Sequence, residues 1–271
     1  WMALALPCLA YLSVNGYWLS RKMNLPTGDE PHYLVYAHSL VERGSLNLEG
    51  VYGQAPWENL QGGGSHSLTK ETGEYPLHGI GLALLIALPY KLAGVAGAKL
   101  FVCLINGLFP LLFFCILNRL LDRPRLSLAC ALALSLSNPF LMASGQLYPN
   151  LLAGLSIAFL CHELQCMAHG RLRSLSRALL FGFVAGFLPW LHHRHLFTGL
   201  ALDLVYGLVW LLTGRKDKKA FALSLALLIL LQAGEAGFTF WLHGSMNSLD
   251  KFSTVSVGWK GWYSVMILCG L

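Results

Sequence analysis

Gly97-Ala98-Lys99-Leu100-Phe101-Val102-Cys103-Leu104-Ile105-Asn106-Gly107-Leu108-Phe109-Pro110-Leu111-Leu112-Phe113-Phe114-Cys115-Ile116-Leu117-Asn118-Arg119-Leu120 is an apolar run of 24 residues that leads into Arg123 and Arg125. A helix that crosses a bilayer must satisfy its own backbone and needs about 17–25 mostly apolar residues. Comparable runs recur at 2–20, 126–146, 150–169, 178–197, 198–213 and 220–242, and an eighth begins near 262. The sequence predicts an all-α, polytopic membrane protein with about seven complete transmembrane helices. Three short loops between runs are basic. Residues 118–125 carry Arg119, Arg123 and Arg125; 170–177 carry Arg171, Arg173 and Arg177; 214–219 carry Arg215, Lys216, Lys218 and Lys219. They alternate with loops at 146–150 and 192–196, as in a serpentine chain whose basic loops face the cytoplasm.

Composition agrees with this reading. The 271 residues are 55% hydrophobic and 12% charged, against about 25% charged in soluble domains, and the mean hydropathy is +0.56. Disordered, coiled-coil and disulfide-scaffold classes are excluded. The net charge of +6 lies between apolar runs rather than on one polar face, so no nucleic-acid partner is expected. Cys8, Cys103, Cys115, Cys130, Cys161, Cys166 and Cys269 all fall in apolar stretches and read as small buried hydrophobes. Trp1 stands inside an apolar run, and the last run is about half a span. The chain is therefore expected to be one transmembrane module over 1–271, truncated at both ends.

A shorter apolar stretch, 76–93, carries Pro89 and Lys91. Were it to cross, loop 21–75 would share a side with the basic loops. That loop holds four Lys/Arg against seven Asp/Glu, which suits the other side. The stretch is expected to lie in the interface or to re-enter from the outer face. The N-terminus is then cytoplasmic, and 21–96 forms an extracytoplasmic loop containing amphipathic helices.

Pro26-Thr27-Gly28-Asp29-Glu30-Pro31-His32-Tyr33-Leu34 follows the first span. A helix over roughly 31–43 is expected, with Leu34, Ala37, His38 and Val41 on one face and Gly44 as its stop. Asp29 and Glu30 suit the positive end of its dipole, and Pro31 suits its first turn. Two carboxylates capping a surface helix is one reading. The other is chemical: a carboxylate at the membrane surface can face a lipid-linked substrate. Adjacent residues point in different directions on a helix start, which favours one catalytic carboxylate and an orienting partner over an acid/base pair working across a gap of about 5–10 Å.

Gly28-Asp29-Glu30-Pro31-His32-Tyr33 after a first span resembles the signature loop of the GT-C glycosyltransferases, and within them is similar to the lipid A aminoarabinose transferases and the protein O-mannosyltransferases. Ala37 to Gly44, Tyr75-Pro76-Leu77-His78-Gly79 and Gly145-Gln146-Leu147-Tyr148-Pro149-Asn150 resemble the segments that follow. The resemblance implies a GT-C-like fold in a bacterial inner (plasma) membrane. It implies a polyprenyl-phosphate sugar donor and a glycan, lipid or protein acceptor on the extracytoplasmic face. Asp29 would be the general base for the acceptor hydroxyl. Glu30 would orient substrate or bind a cation, so a divalent cation near Asp29 and Glu30 is the one cofactor allowed; no metal-ligand set is assigned. The phosphate leaving group needs cations or donors, not a general acid.

Those donors are sought in Pro189-Trp190-Leu191-His192-His193-Arg194-His195. Arg194 forks onto phosphate oxygens, and His192, His193 and His195 can donate as well; snorkelling into the headgroup region is the plainer reading. Metal binding by His192 and His195 is a weaker one, since two imidazoles do not make a site. Tyr33, Tyr148, His78 and Lys70 are further substrate-binding candidates. Lys70, His66 and His78 belong to a loop around Gly62-Gly63-Gly64 that is able to order over substrate. Asn150 stands where related enzymes often carry an acid. Three acids fall inside spans: Glu163, read with His162 as snorkelling, and Asp203 and Glu235, read as lining the active-site cavity or pairing with Arg194. Two other classes compete. A transporter or flippase of a lipid-linked saccharide would lean on Asp203 and Glu235, and a non-catalytic scaffold of the same fold would not need Asp29.

Overall fold

The computed structural model describes residues 2–23, 25–54, 65–169, 174–213 and 218–243. The eighth run near 262, Gly62 to Gly64, Arg171, Arg173, Arg215, Lys216 and Cys269 lie outside the described residues. Among the described residues the chain is mostly helical, and the single departure is a two-stranded hairpin.

Helix α1, Met2–Ser20, is about 28 Å long at 1.5 Å per residue. The chain then turns into α2, Glu30–Arg43, which has Pro31 in its first turn and ends at Gly44 with a left-handed φ of 61°. Expected to be amphipathic, α2 is instead buried over most of its length, including the consecutive run Glu30 to Ala37. It lies between α3 and the hairpin. That hairpin, β1 (Ser67–Lys70) with β2 (Gly73–Pro76), is antiparallel, with Ser67 opposite Pro76 and Lys70 opposite Gly73.

Helix α3, Gly81–Asn106, breaks at Ala93 and Gly94, where φ and ψ of 57° and −146° at Gly94 require glycine. The break falls between the stretch at 76–93 and the run at 97–120, where the sequence divides them. A side chain at Gly97 would put its Cβ 2.2 Å from the carbonyl oxygen of Pro89, so glycine alone allows the two segments this close. The run continues, after a turn at Gly107 and Leu108, as α4, Phe109–Leu121.

The run at 126–146 is not one continuous helix. It forms α5, Pro124–Ser135, and the single turn α6, Phe140–Ala143. Pro139 disfavours helix at the residue before it. The break is stabilised by side chains from neighbouring helices. Tyr11 Oη donates to the carbonyl of Ser135 at 2.8 Å, Asn106 Nδ2 donates to the carbonyl of Ser144 at 2.8 Å, and Asn15 Nδ2 donates to Ser144 Oγ at 2.8 Å. Backbone groups that helix would satisfy are thereby satisfied inside protein.

The remaining helices are α7 (Pro149–Ala168), α8 (Leu175–Leu191), α9 (His195–Leu212) and α10 (Lys218–His243). Four helical stretches are long and apolar enough to cross a membrane: Gly81–Leu121, Pro149–Ala168, His195–Leu212 and Lys218–Leu242; α5 and α8 are shorter apolar helices. Exposed side chains on α9 and α10 include Phe197, Leu204, Leu211, Leu212 and Leu230, which suits a lipid-facing surface.

Contacts sort the loops to two ends. At one end Glu163, 2% exposed, accepts from Arg177 Nη2 at 2.5 Å, and Arg119 reaches Cys166. Glu163, expected to snorkel, is thus the buried anchor of an arginine from a basic loop. At the other end lie α2, the hairpin, the turn before α7 and the α8–α9 connection.

Candidate functional site

The acidic pair divides at the start of α2. Glu30 faces inward and is 1% exposed. Its Oε1 accepts from Lys99 Nζ at 2.9 Å and from the Leu147 backbone N–H at 2.7 Å, while Oε2 accepts from the Thr27 N–H at 3.0 Å. Lys99 is fully buried beneath it. One carboxylate therefore joins the entry to α2, the second half of α3 and the turn before α7. Glu30 is structural here, and its oxygens do not join those of Asp29 around a common point.

Asp29 faces the other way. It is the residue that precedes α2, yet its side chain makes no capping bond. With 44% of the side chain exposed, Oδ1 stands 3.7 Å from His66 Nδ1 and 3.9 Å from His78 Nε2. His66 and His78 flank the two ends of the hairpin, so strand pairing brings the rings together, Nδ1 to Nε2, at 2.8 Å. Tyr36 fixes the hairpin base on α2: its hydroxyl donates to the His66 carbonyl at 2.7 Å and accepts from the Leu77 N–H at 3.3 Å. His32, in the first turn of α2, stacks on His66 with ring centres 3.7 Å apart, and its Nδ1 lies 3.0 Å from the Tyr52 hydroxyl. Burial, reinforced by His66 and His78, holds His32 down to about 4, and burial also lowers His78 against the pull of Asp29. Both rings are neutral at neutral pH.

Arg194 belongs to the same surface. Burial and then Asp29 push the Tyr33 phenol up, while Arg194 pulls it back, so both charges act on one buried ring. Arg194 Nη2 donates to Asn150 Oδ1. Beside Asn150, Ala143, Gln146, Tyr148 and Leu151 line an open groove of about 300 Å³. Tyr148 Oη donates to the Thr27 carbonyl at 2.9 Å and covers Gly28, whose φ of 57° and lack of a side chain admit the phenol. His192 is held down to about 3, by burial first and then by Arg194 and the neighbouring histidines. The start of α3 lies directly on the end of α8: a Cβ at Gly79 or Gly81 would come within 2.6 Å of the Trp190 backbone. This contact sets His78 beside the His192–Arg194 turn.

No protein family, curated protein or solved structure matches the chain. Its chemistry is read from the site alone.

Other sequence-derived candidates lie elsewhere. Lys70 sits at the hairpin tip, where it donates to the Trp241 carbonyl and lies 5.1 Å from the Trp241 ring; it pins the hairpin to α10. Asp203 accepts from Gln232 Nε2 at 2.9 Å and joins α9 to α10. Glu235 takes His193 Nδ1 at 3.3 Å and Thr239 Oγ1 at 2.9 Å. Neither acid pairs with Arg194. With His78, Trp190 and His193, Glu235 lines a cavity of about 10 Å³, room for about one water molecule. His195 opens α9. Lys99, which the sequence reading passed over, is an isolated cation in an apolar run; a group so costly in a membrane signals a buried partner.

Proposed function

We propose that this chain is part of a membrane glycosyltransferase of GT-C-like fold, with seven transmembrane crossings and Asp29 as the general base. It takes a sugar from a polyprenyl-phosphate carrier and passes it to a hydroxyl acceptor on the extracytoplasmic side of the membrane. The observation that carries the reading is the divided acidic pair. Glu30 is consumed by a buried ion pair, while the neighbouring Asp29 stays half exposed on a surface shared with Arg194, Tyr148 and an open groove. A base needs a reachable carboxylate oxygen held in a fixed place, and the Glu30 anchor supplies the fixing. Arg194 offers a guanidinium fork to the phosphate of the donor and then of the leaving group. The groove beside Asn150, at about 300 Å³, matches the lower end of small-ligand sites.

The test is transfer from radiolabelled polyprenyl-phosphate sugars in membranes containing the protein. Asp29→Asn is expected to lower transfer by about 10²–10⁴-fold, the usual worth of general-base catalysis, with donor binding retained. Arg194→Ala is expected to weaken donor binding, and Arg194→Lys to restore it only in part, because a point charge does not replace the fork. Equal transfer by wild type and Asp29→Asn would remove Asp29 from the mechanism.

A further inference from the structure

The half-exposed face of Asp29 is ringed by imidazoles to a degree that a base alone does not require. Asp29 Oδ1, His66 Nδ1 and His78 Nε2 form a triangle with sides of 3.7, 3.9 and 2.8 Å. A point equidistant from the three atoms lies about 2.1 Å from each, and zinc binds imidazole nitrogen and carboxylate oxygen at roughly 2.0–2.2 Å. His32 brings a ring nitrogen within 4.8 Å of the ligand atoms of Asp29 and His66, but its ring lies nearly parallel to that of His66 with centres 3.7 Å apart. The in-plane lone pairs of stacked rings do not converge on one ion, so His32, held by the Tyr52 hydroxyl at 3.0 Å, is a wall of the site and not a ligand.

We propose that Asp29, His66 and His78 form a three-ligand mononuclear site for a zinc-class divalent cation, with a fourth position open to solvent. The ligand set decides the class. Two imidazoles and one carboxylate suit zinc and its first-row neighbours, whereas magnesium and calcium require oxygen ligands. Occupation needs small movements: tetrahedral ligands about 2.1 Å from the ion stand about 3.4 Å apart, so His66 and His78 separate by roughly 0.6 Å and close on Asp29 by roughly 0.3–0.5 Å. All three residues are placed by firm local structure. Asp29 stands at the start of α2, His66 and His78 flank the hairpin, and Tyr36 joins the two elements. The second cluster of metal-ligating groups among the described residues, His162, Glu163 and Cys166, differs because Arg177 and Arg119 already occupy Glu163 and Cys166. A bound ion leaves a net positive charge beside the exposed Asp29 carboxylate, a place for an anionic group of a substrate. The site rests on its own geometry, not on the transfer reading, and its test needs no substrate.

The full chain in detergent is stripped with a chelator and titrated with zinc against a chromophoric competitor. One ion per chain is expected, with Kd below about 1 μM. Paired replacement of His66 and His78 by Ala abolishes it. His162→Gln leaves it unchanged. Cobalt in place of zinc is expected to give tetrahedral d–d bands with no thiolate charge-transfer band, a readout on the wild-type protein that stands even if the double variant fails to fold. Wild-type binding weaker than about 10 μM, full binding by a folded double variant, or a thiolate band in the cobalt form would each overturn the proposal.

Discussion

Two adjacent carboxylates take opposite roles because their surroundings differ. Glu30 and Lys99, both essentially without solvent, are expensive to bury and are tolerable only together. Lys99→Met leaves a buried, uncompensated carboxylate and is expected to cost about 3–5 kcal/mol, read as a lowered melting midpoint in detergent. Changing Glu30→Gln as well recovers only part of the loss. Glutamine keeps one acceptor oxygen, whereas Glu30 receives the Leu147 and Thr27 N–H groups on separate oxygens. His192 gives a pH prediction. Its folded value near 3 lies below the ordinary 6.5, so the unfolded chain gains a proton first as pH falls. The stability it contributes is complete above about 6.5 and is lost as pH drops toward 3. His192→Gln should flatten the acid side of a pH–stability profile over that window. At this scale the sequence was partly legible. Asp29 stands out by residue type and position. The burial of Glu30 was not readable, because its partner lies 69 positions away.

Among the elements, the hairpin organises the site, and the sequence hid it. Its strands have four residues each, too short for alternation to register, although Gly73 and Tyr75 are suitable strand-and-turn residues. Helix α2 was legible from Pro31 and Gly44, which fix its ends through backbone chemistry rather than tertiary contact. Tyr36 couples the two. Tyr36→Phe removes two hydrogen bonds, worth about 1 kcal/mol each. The hairpin amides, rather than those of α2, should then exchange faster with deuterium. The kink of α3 offers a second test. Gly97→Val would drive a branched side chain into the Pro89 carbonyl and should disturb the helix containing Lys99, lowering both the melting midpoint and any activity that depends on Asp29.

For the whole molecule, apolar run length located most of the helices. Run length failed at 126–146, where Tyr11 of α1 takes the Ser135 carbonyl that Pro139, without an N–H, leaves unpaired, and Asn106 of α3 takes the Ser144 carbonyl. No count of apolar residues reports that exchange. The expected orientation gives a direct experiment. In a cysteine-free background in intact cells, Ser65→Cys should react with an impermeant thiol reagent and Ser174→Cys should not. The reverse pattern would put Asp29 on the cytoplasmic side.

The buried knot at Glu30 also bears on how the protein is made. A lysine costs an inserting helix up to roughly 2.5–3.5 kcal/mol, the value at its centre, and Lys99, near the start of its run, emerges from the ribosome after Glu30. A nascent chain reaching Leu121 already holds both charges, but not the Leu147 amide that completes the cluster. The start of α2 and the second half of the kinked helix thus have reason to meet as a neutralised couple, with the later turn locking a partnership made during synthesis.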